Sequence, residues 1–224
     1  MTNAQDIKIY RDFFKGRLDD FAEQTEAGEY YRLGKPFEES CIAEHLEGHK
    51  SYGMYLIIPD SNLCWHTVID IDVLEIEPVT FIIAALLKIG IKDTQILLEF
   101  SGSKGYHVWL TFDKAIDSWK TLKLGQAIVE SSGIETKIEV SPKQDSVAKD
   151  KFGSLIKLPL GVHKKSGKRS CFLGTKFEPI TDWCSHLTSI EKVSIEQLDS
   201  ILLEVFKQEH FMVVKTQLDE RMPI

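Results

Sequence analysis

Hydrophobic and polar positions alternate along the chain with two periods. Ile7, Tyr10, Phe13, Phe14, Leu18 and Phe21 recur at helical spacing, so an amphipathic helix opens the chain. A second helix is expected over Phe37 to Leu46. "YGMYLII" reads as a strand, "PDSN" as a turn and "WHTVIDIDVLE" as the next strand. Pro78 opens the helix "VTFIIAALLKIG" and Gly90 stops it. Two apolar runs, "ILLEF" and "HVWLTF", form a hairpin over 95–112. Trp119 to Glu130 reads as helix ended by "SSG", and "TKIEV" as a strand. "SLIKLPLGVHKKSGKRSCFL" reads as a second hairpin tipped by "HKKSGKR". A last helix runs from Ile195 to Phe206, with Leu198, Ile201, Leu202 and Val205 on one face. Strands and helices alternate without a long linker or an internal repeat. The expected fold class is therefore α/β (α+β), one domain over 1–224 with a mixed central sheet and flanking helices.

Composition narrows the class. Hydrophobic residues make up 43% and charged residues 27% of the 224, ordinary values for a soluble globular protein. The longest apolar run, "FIIAALL", is too short to cross a bilayer, and the N-terminus has no secretory pattern, so the expected setting is the cytoplasm. The four cysteines are scattered with no CxxC pair, which argues against a structural zinc knuckle and for free thiols. The ending "DERMPI", soon after the last helix, allows the chain to be part of a longer protein.

The net charge of −7 argues against a generally sticky nucleic-acid binder. Its distribution is uneven. From Lys143 to Arg169 eight basic residues face two acidic ones, a local +6 that leaves −13 on the remainder. Such a segment is either a solvated lysine-rich loop or a phosphate-binding surface.

Three places carry candidate chemistry. In "VIDIDV", strand alternation puts Asp70 and Asp72 on one face, roughly 6.6 Å apart along the strand. Like charges this close repel, and a hard divalent cation between them is the simplest remedy; a wet strand face or pairing with lysines is the plain alternative. Glu139, in "IEVSPKQD", is the candidate third carboxylate, with Asp145 the runner-up. In "SGSKGYH", Ser101, Ser103, Lys104 and His107 are donors around Gly102 and Gly105, whose missing side chains let backbone approach a ligand closely. The plain alternative is a polar hairpin tip. "LIKLPLGVHKKSGKR" repeats the theme: Lys157 sits within an apolar strand and calls for an anion partner, and His163 stands at the mouth of a basic tip.

The ordered set "DID", "SGSKGYHVW", a strand carboxylate and "LIKLPLGVHKKSGK" resembles the archaeo-eukaryotic primase superfamily over roughly residues 10–185. That superfamily carries an hhDhD motif, an SGxxGxH motif and a third acidic motif, followed in replicative primase small subunits by a segment like "LLKxPFxxHxxTGR". "FFKGRLDDFAEQ" and "EVSPKQD" add to the likeness and look most like the bacterial primase-polymerase branch, which includes conflict-system and CRISPR-associated members. The resemblance implies a primase catalytic fold with an RRM-like half, its motif-bearing core roughly at 50–175. It implies template-dependent nucleotidyl transfer with two Mg²⁺ or Mn²⁺ ions on Asp70, Asp72 and Glu139. NTP or dNTP would be held by Ser101, Ser103, Lys104, Gly105, His107, Lys157 and His163. Single-stranded DNA template and primer would lie along Lys143, Lys164, Lys165, Lys168 and Arg169. Conflict-system or CRISPR proteins, or further domains of a longer chain, are the expected partners, with no membrane. Two departures stand out: the family usually has aspartate where this chain has Glu139, and the zinc motif of replicative small subunits is absent.

Rival readings from other classes are a DxD glycosyltransferase, which has no need of the second basic segment, and a nuclease, for which no catalytic lysine follows "DID". A silent nucleic-acid-binding module on the same fold would be expected to lose Asp70 or Asp72.

Overall fold

The structure is a computed structural model that describes residues 2–134, 138–148 and 150–207. In chain order the elements are α1 (Ala4–Phe13), β1 (Ala22–Gln24), β2 (Tyr30–Arg32), α2 (Glu39–Glu47), β3 (Tyr52–Tyr55) and β4 (Leu63–Ile71). Then follow α3 (Glu77–Lys88), β5 (Ile96–Phe100), β6 (Tyr106–Asp117), α4 (Ser118–Ser132), β7 (Ile138–Ser141), β8 (Leu155–Lys157), β9 (Cys171–Leu173) and α5 (Trp183–Ser189). A last helix, α6, is described over 195–207. Two sheets form, a five-stranded one in the order β7-β4-β6-β5-β9 and a four-stranded one in the order β2-β1-β3-β8.

The α/β class is as expected, and so is the RRM-like half. The stretch β4-α3-β5-β6-α4-β7 is a β-α-β-β-α-β unit whose strands lie in the order fourth, first, third, second. The expected mixed sheet is corrected, because every described ladder is antiparallel. The α3 crossover does leave β4 and β5 pointing the same way. However, β6 inserts between them and runs opposite to both.

Strand alternation divides the core in two. Ile69 and Ile71 of β4, with Val108 and Leu110 of β6, pack under Ile82 and Leu86 of α3, Leu124 and Ile128 of α4, and Leu198 and Ile201 of α6. Val68 and Trp109 face the other way, against Tyr10, Phe13 and Phe14 of α1 and against Tyr52, Met54 and Ile156 of the small sheet. Each such large side chain taken fully out of water contributes about 1.5–3 kcal/mol. The five-stranded sheet is thus covered by helices on one face and by α1 and the second sheet on the other.

Three elements depart from the pattern reading. The opening helix ends at Phe13 rather than running on to Phe21. From Phe14 the chain is pressed against β3: the Arg17 amide donates to the Tyr55 carbonyl at 2.9 Å, and a Cβ at Gly16 would lie 2.8 Å from that oxygen. Phe14 and Phe21 are buried there without being helical, whereas Leu18 is exposed. The segment read as a second hairpin is split between sheets, β8 pairing with β3 and β9 with β5. Only a bridge between Val162 and Arg169 closes its tip. The β1–β2 hairpin and α5 had no counterpart in the pattern reading. Thr136 and Lys137 of the expected strand "TKIEV" lie outside the described residues.

Both glycines of the 101–105 turn serve this packing. Gly102 has φ +79°, and a Cβ there would sit 2.9 Å from the Lys168 carbonyl oxygen and from the Ser170 amide nitrogen. A Cβ on Gly105 would fall 2.1 Å from the Ile71 carbonyl oxygen. Both glycines thus let the protein's own backbone approach closely. Gly105→Ala is therefore expected to cost about 1–3 kcal/mol by overpacking, at about 2–4 °C in thermal midpoint per kcal/mol for a chain of this size. An unchanged midpoint would show that β4 and the turn separate freely.

Candidate active site

A cleft of ≈ 190 Å³ opens where the two sheets meet. Asp70 and Asp72 line it from the end of β4, Ser101, Ser103 and Lys104 from the following turn, and His107 from β6. Lys157 enters from β8, His163 from the basic tip, and Gln24, Gly28 and Tyr30 from the β1–β2 hairpin. A larger hollow of ≈ 550 Å³ lies elsewhere, beside Asp6, His49, Arg169 and Trp183. It contains none of the acids or phosphate donors selected from the sequence except Arg169, whose guanidinium donates to the Leu46 and Leu160 carbonyls.

Register explains how the acids assemble. Asp70 pairs across the sheet with His107 on one side and with Glu139 on the other, so the three share a face. The Asp70 Oδ1 atom is 3.6 Å from His107 Nε2. Asp72 follows directly after β4, with Oδ2 3.8 Å from Lys104 Nζ. Glu139 accepts from Lys143 at 2.5 Å and does not line the cleft. Burial raises the Asp70 pKa; His107 opposes that rise, while Asp72, Glu139 and Glu99 add to it. Asp145 is exposed, its carboxylate accepting from the Ser146 hydroxyl.

Asp70, Asp72 and Glu139 are hard oxygen donors, the kind Mg²⁺ and Mn²⁺ prefer, and their crowding on the β4–β7 face calls for positive charge. Among the described residues, no three His, Cys, Asp or Glu side chains already converge on a metal position. Instead, Lys104 and Lys143 stand next to Asp72 and Glu139. The donor chemistry fits divalent ions, with the lysines as the counter-charge in their place.

Beneath the acids lies a carboxylate that pattern reading missed. Glu99 is fully buried. Its Oε2 accepts from His107 Nδ1 at 2.8 Å and from Trp109 Nε1 at 3.0 Å, and its Oε1 from Lys157 Nζ at 3.3 Å. Lys157 Nζ also reaches the Ser170 hydroxyl at 3.0 Å and the Leu158 carbonyl at 3.1 Å. The anion partner that Lys157 called for is therefore Glu99, and all three of its N–H donors have acceptors. Burial alone would push the Glu99 pKa up; the charges of Lys157 and His107 and the hydrogen bonds from His107 and Trp109 outweigh it and hold it at about 2. For Lys157 burial wins over Glu99 and the pKa falls. For His107 burial is overcome by Glu99 and Asp70 and the pKa rises.

The segment carrying Lys157 is itself pinned. His45 Nδ1 accepts from the Tyr52 amide at 3.0 Å, so its Nε2 carries the proton, facing the Leu158 and Pro159 carbonyls. Burial and the nearby Lys157 charge drop the His45 pKa to about 3, keeping the ring neutral. The Tyr10 hydroxyl donates to the same Pro159 carbonyl at 2.7 Å.

The phosphate-donor wall is latched in the same manner. The Ser166 hydroxyl lies 2.5 Å from the Gly102 carbonyl, tying the basic tip to the 101–105 turn. The Ser166 amide donates to His163 Nδ1 at 3.2 Å, which leaves the proton of the neutral ring on Nε2. Burial, Lys157 and Lys165 lower the His163 pKa and favour that neutral form. The Lys104 side chain is 69% exposed at the rim of the cleft.

A model of the archaeo-eukaryotic primase domain of TOTE conflict systems matches residues 29–201. The chain belongs to this family. Among solved structures, the primase domain is similar to the corresponding domain of the cyanophage S-2L primase-polymerase, at 11% identity and a TM-score of 0.47, over 77% of this chain and 88% of that one. It is also similar to the primase RepB′, at 9% identity and a TM-score of 0.44, over 97% of this chain and 68% of that one. Comparison with curated proteins gave no match.

In this primase domain the basic residues chosen as template contacts do not form one track. Lys143 is paired with Glu139, Lys164 Nζ donates to the His49 carbonyl, and Arg169 holds two carbonyls. Lys165 packs its stem over Gly28, and Lys168 is exposed. None of the five lines the cleft. The residues missed from the sequence were Glu99, Gln24, Gly28 and Tyr30. Glu99 had a signal, a charged residue inside the apolar run "ILLEF". The hairpin had only the polar–glycine stretch "EQTEAGEYY" between short strands.

Glu99 carries a testable consequence. Its folded pKa lies below the ordinary 4.5, so its contribution to stability is fully present above pH 4.5 and is lost as pH falls from 4.5 toward 2. Glu99→Gln leaves Lys157 and His107 without their counter-charge and is expected to cost about 3–5 kcal/mol at pH 7. Urea unfolding should show that gap closing below pH 4.5. A gap that is constant with pH would mean that Glu99 is not ionised in the folded protein.

Proposed function

We propose that this domain is a template-dependent nucleotidyltransferase that joins NTPs or dNTPs into primers or extends them on DNA. The observation that carries the reading is the single cleft in which Asp70 and Asp72 face Ser101, Ser103, Lys104, His107 and His163. Acids and phosphate donors lining one cleft suit an anionic substrate that is handled with the help of cations. A glycosyltransferase acting on a nucleotide sugar shares the acids but leaves the latched second wall unexplained.

In this reading Asp70, Asp72 and Glu139 would hold two divalent ions, which would supply Lewis-acid activation of the attacking hydroxyl and counter-charge for the leaving pyrophosphate. The hydroxyls of Ser101 and Ser103, with Lys104, bind the β- and γ-phosphates. Lys104 leaves Asp72 to do so, its tie there being long at 3.8 Å. His163 offers Nε2–H as a neutral donor to a phosphate or sugar oxygen. His107, gripped at Nδ1 by Glu99, keeps its Nε2 on the Asp70 side of the cleft. Lys157 has its donors spent and acts by holding Glu99. His107 and His163, held at Nδ1 by Glu99 and by the Ser166 amide, need no rearrangement as charge develops.

Asp70→Asn tests the reading with two measurements of opposite sign. Primer extension with labelled nucleotide and Mn²⁺ or Mg²⁺ should fall by about 10²-fold or more. Stability in metal-free buffer should hold or rise, because a largely buried carboxylate beside Asp72 and Glu139 is replaced by a neutral group. Extension at the wild-type level by both Asp70→Asn and Asp72→Asn would sink the proposal.

A further inference from the structure

The hollow of ≈ 550 Å³ beside Arg169 lies within the range of about 300–1,000 Å³ typical of ligand sites, and it shares no lining residue with the cleft. Leu46, Glu47 and His49 line it from the end of α2, Asp6 from α1 and Trp183 from α5. Leu160 and Arg169 come from the segment that also carries the cleft residues Lys157 and His163. Arg169 is the one permanent cation of this lining. Its Nη1 donates to the Leu46 carbonyl at 2.7 Å and to the Leu160 carbonyl at 2.6 Å, which fixes the guanidinium plane. Its Nη2 lies where a Cβ on Gly48 would meet it at 2.9 Å, so only a glycine leaves room for it. Arg169 is exposed, and no carboxylate among the described residues pairs with it. The Nε–H and Nη2–H edge of the fork is therefore held in place and unspent.

The other lining residues select what the fork takes. The two acids are already engaged: Asp6 accepts from the Asn3 amide at 3.2 Å and from Cys184 Sγ at 3.3 Å. Glu47 accepts from the Thr2 amide at 3.2 Å and stands 3.4 Å from His49 Nε2. They leave the Arg169 edge open yet offset its charge, so the hollow offers no surplus of positive charge to a triphosphate. A singly charged anion with two free oxygens suits the fork. Trp183 meets the Tyr10 ring at 85° with centroids 6.2 Å apart, and with Leu46 and Leu160 it gives the hollow an apolar side. A flat aromatic body that carries one phosphodiester charge meets both demands, and that is one nucleotide of a single strand. Stacking on an aromatic ring beside a backbone-binding cation is how single strands are held without regard to sequence.

Building on the nucleotidyltransferase reading, we propose that this hollow is a second nucleic-acid site, outside the catalytic cleft, which stacks one base of single-stranded DNA on Trp183 and holds its phosphodiester on Arg169. The basic tip joins the two places. Lys165 and Lys168 are exposed between His163 of the cleft and Arg169 of the hollow, and Lys164 Nζ donates to the carbonyl of His49 at the hollow's rim. A strand held at one such point does not need the continuous basic track that the tip lacks. The competing assignment is that Arg169 only ties two carbonyls together.

Fluorescence anisotropy with a labelled single-stranded oligothymidylate, in metal-free buffer over a salt series, tests this on the wild type, on Trp183→Leu and on Arg169→Gln. Trp183→Leu keeps an apolar side chain against Tyr10 and should weaken strand binding about five- to tenfold, for the loss of one stacked base. Arg169→Gln should make the salt dependence shallower by about 0.7 in log–log slope, the value of one phosphate on a single strand. On the wild type, an oligonucleotide carrying 5-iododeoxyuridine should photo-crosslink to Trp183, and unlabelled strand should suppress the crosslink where ATP does not. This arm decides the matter if either variant fails to fold. No crosslink in the hollow overturns the inference, and so does strand affinity unchanged in Trp183→Leu. A salt slope unchanged in Arg169→Gln also overturns it and leaves Arg169 as a tie between carbonyls. Suppression by ATP as strong as by the strand overturns it in favour of a free-nucleotide site. Nucleotide binding with Mg²⁺ or Mn²⁺ reads the cleft separately and should be unchanged in both variants. A chain that crosslinks at Trp183 but neither binds nor incorporates nucleotides keeps the second site and loses the nucleotidyltransferase reading.

Discussion

The cleft depends on one buried carboxylate. Glu99 belongs to the five-stranded sheet and Lys157 to the four-stranded one, so their ion pair joins the two sheets at the point where the cleft opens. A pair with both partners under a tenth exposed is costly to desolvate, and it persists only when the remaining donors and acceptors are met. Here they are met by His107, Trp109, Ser170 and the Leu158 carbonyl. An apolar pair of the same volume could join the sheets as firmly. It could not orient His107 toward Asp70, which is the specific return on burying charge at this place.

The same economy governs the rest of the site. Backbone is brought against backbone wherever a side chain would obstruct, as at Gly105 on the Ile71 carbonyl and Gly102 on 168–170. Each loop that carries a cleft residue is latched to a neighbour by a short polar contact: Ser166 to Gly102, Gln24 to Lys164, His45 and Tyr10 to Pro159. These contacts are local, and most involve a main-chain partner, so they fix position without adding charge. The charges that face the cleft stand side by side, Asp70 across from His107 and Asp72 beside Lys104.

Much of this was legible in the chain. Alternation in "VIDIDV" correctly separated Val68 and Asp70 from Ile69 and Ile71, because a strand buried on both faces still sends successive side chains to opposite cores. The turn "SGSKG" between two apolar runs gave the β5–β6 hairpin, and with it the placing of Ser101, Lys104 and His107 near the acids. Glu139 beside Asp70 follows from a register that the sequence did not specify.

Local pattern failed wherever the partner of a segment was remote. Phe14 and Phe21 kept a helical spacing although their stretch is extended, because periodicity reports which residues are buried and not how the backbone gets them there. "SLIKLPLGVHKKSGKRSCFL" has the look of a hairpin, but β3 and β5 compete for its two strands and win, since each offers a full ladder and a core to cover. Charge counting along 143–169 suggested one basic surface; in three dimensions Lys157 is buried and Arg169 caps carbonyls. The sequence by itself determined the elements of the primase unit and the residue types able to do chemistry, because both are written in short-range spacing. The tertiary structure alone decided that Glu99 and Tyr30 belong to the cleft, because Glu99 is paired with Lys157 of the other sheet and Tyr30 reaches the cleft from a hairpin remote in sequence.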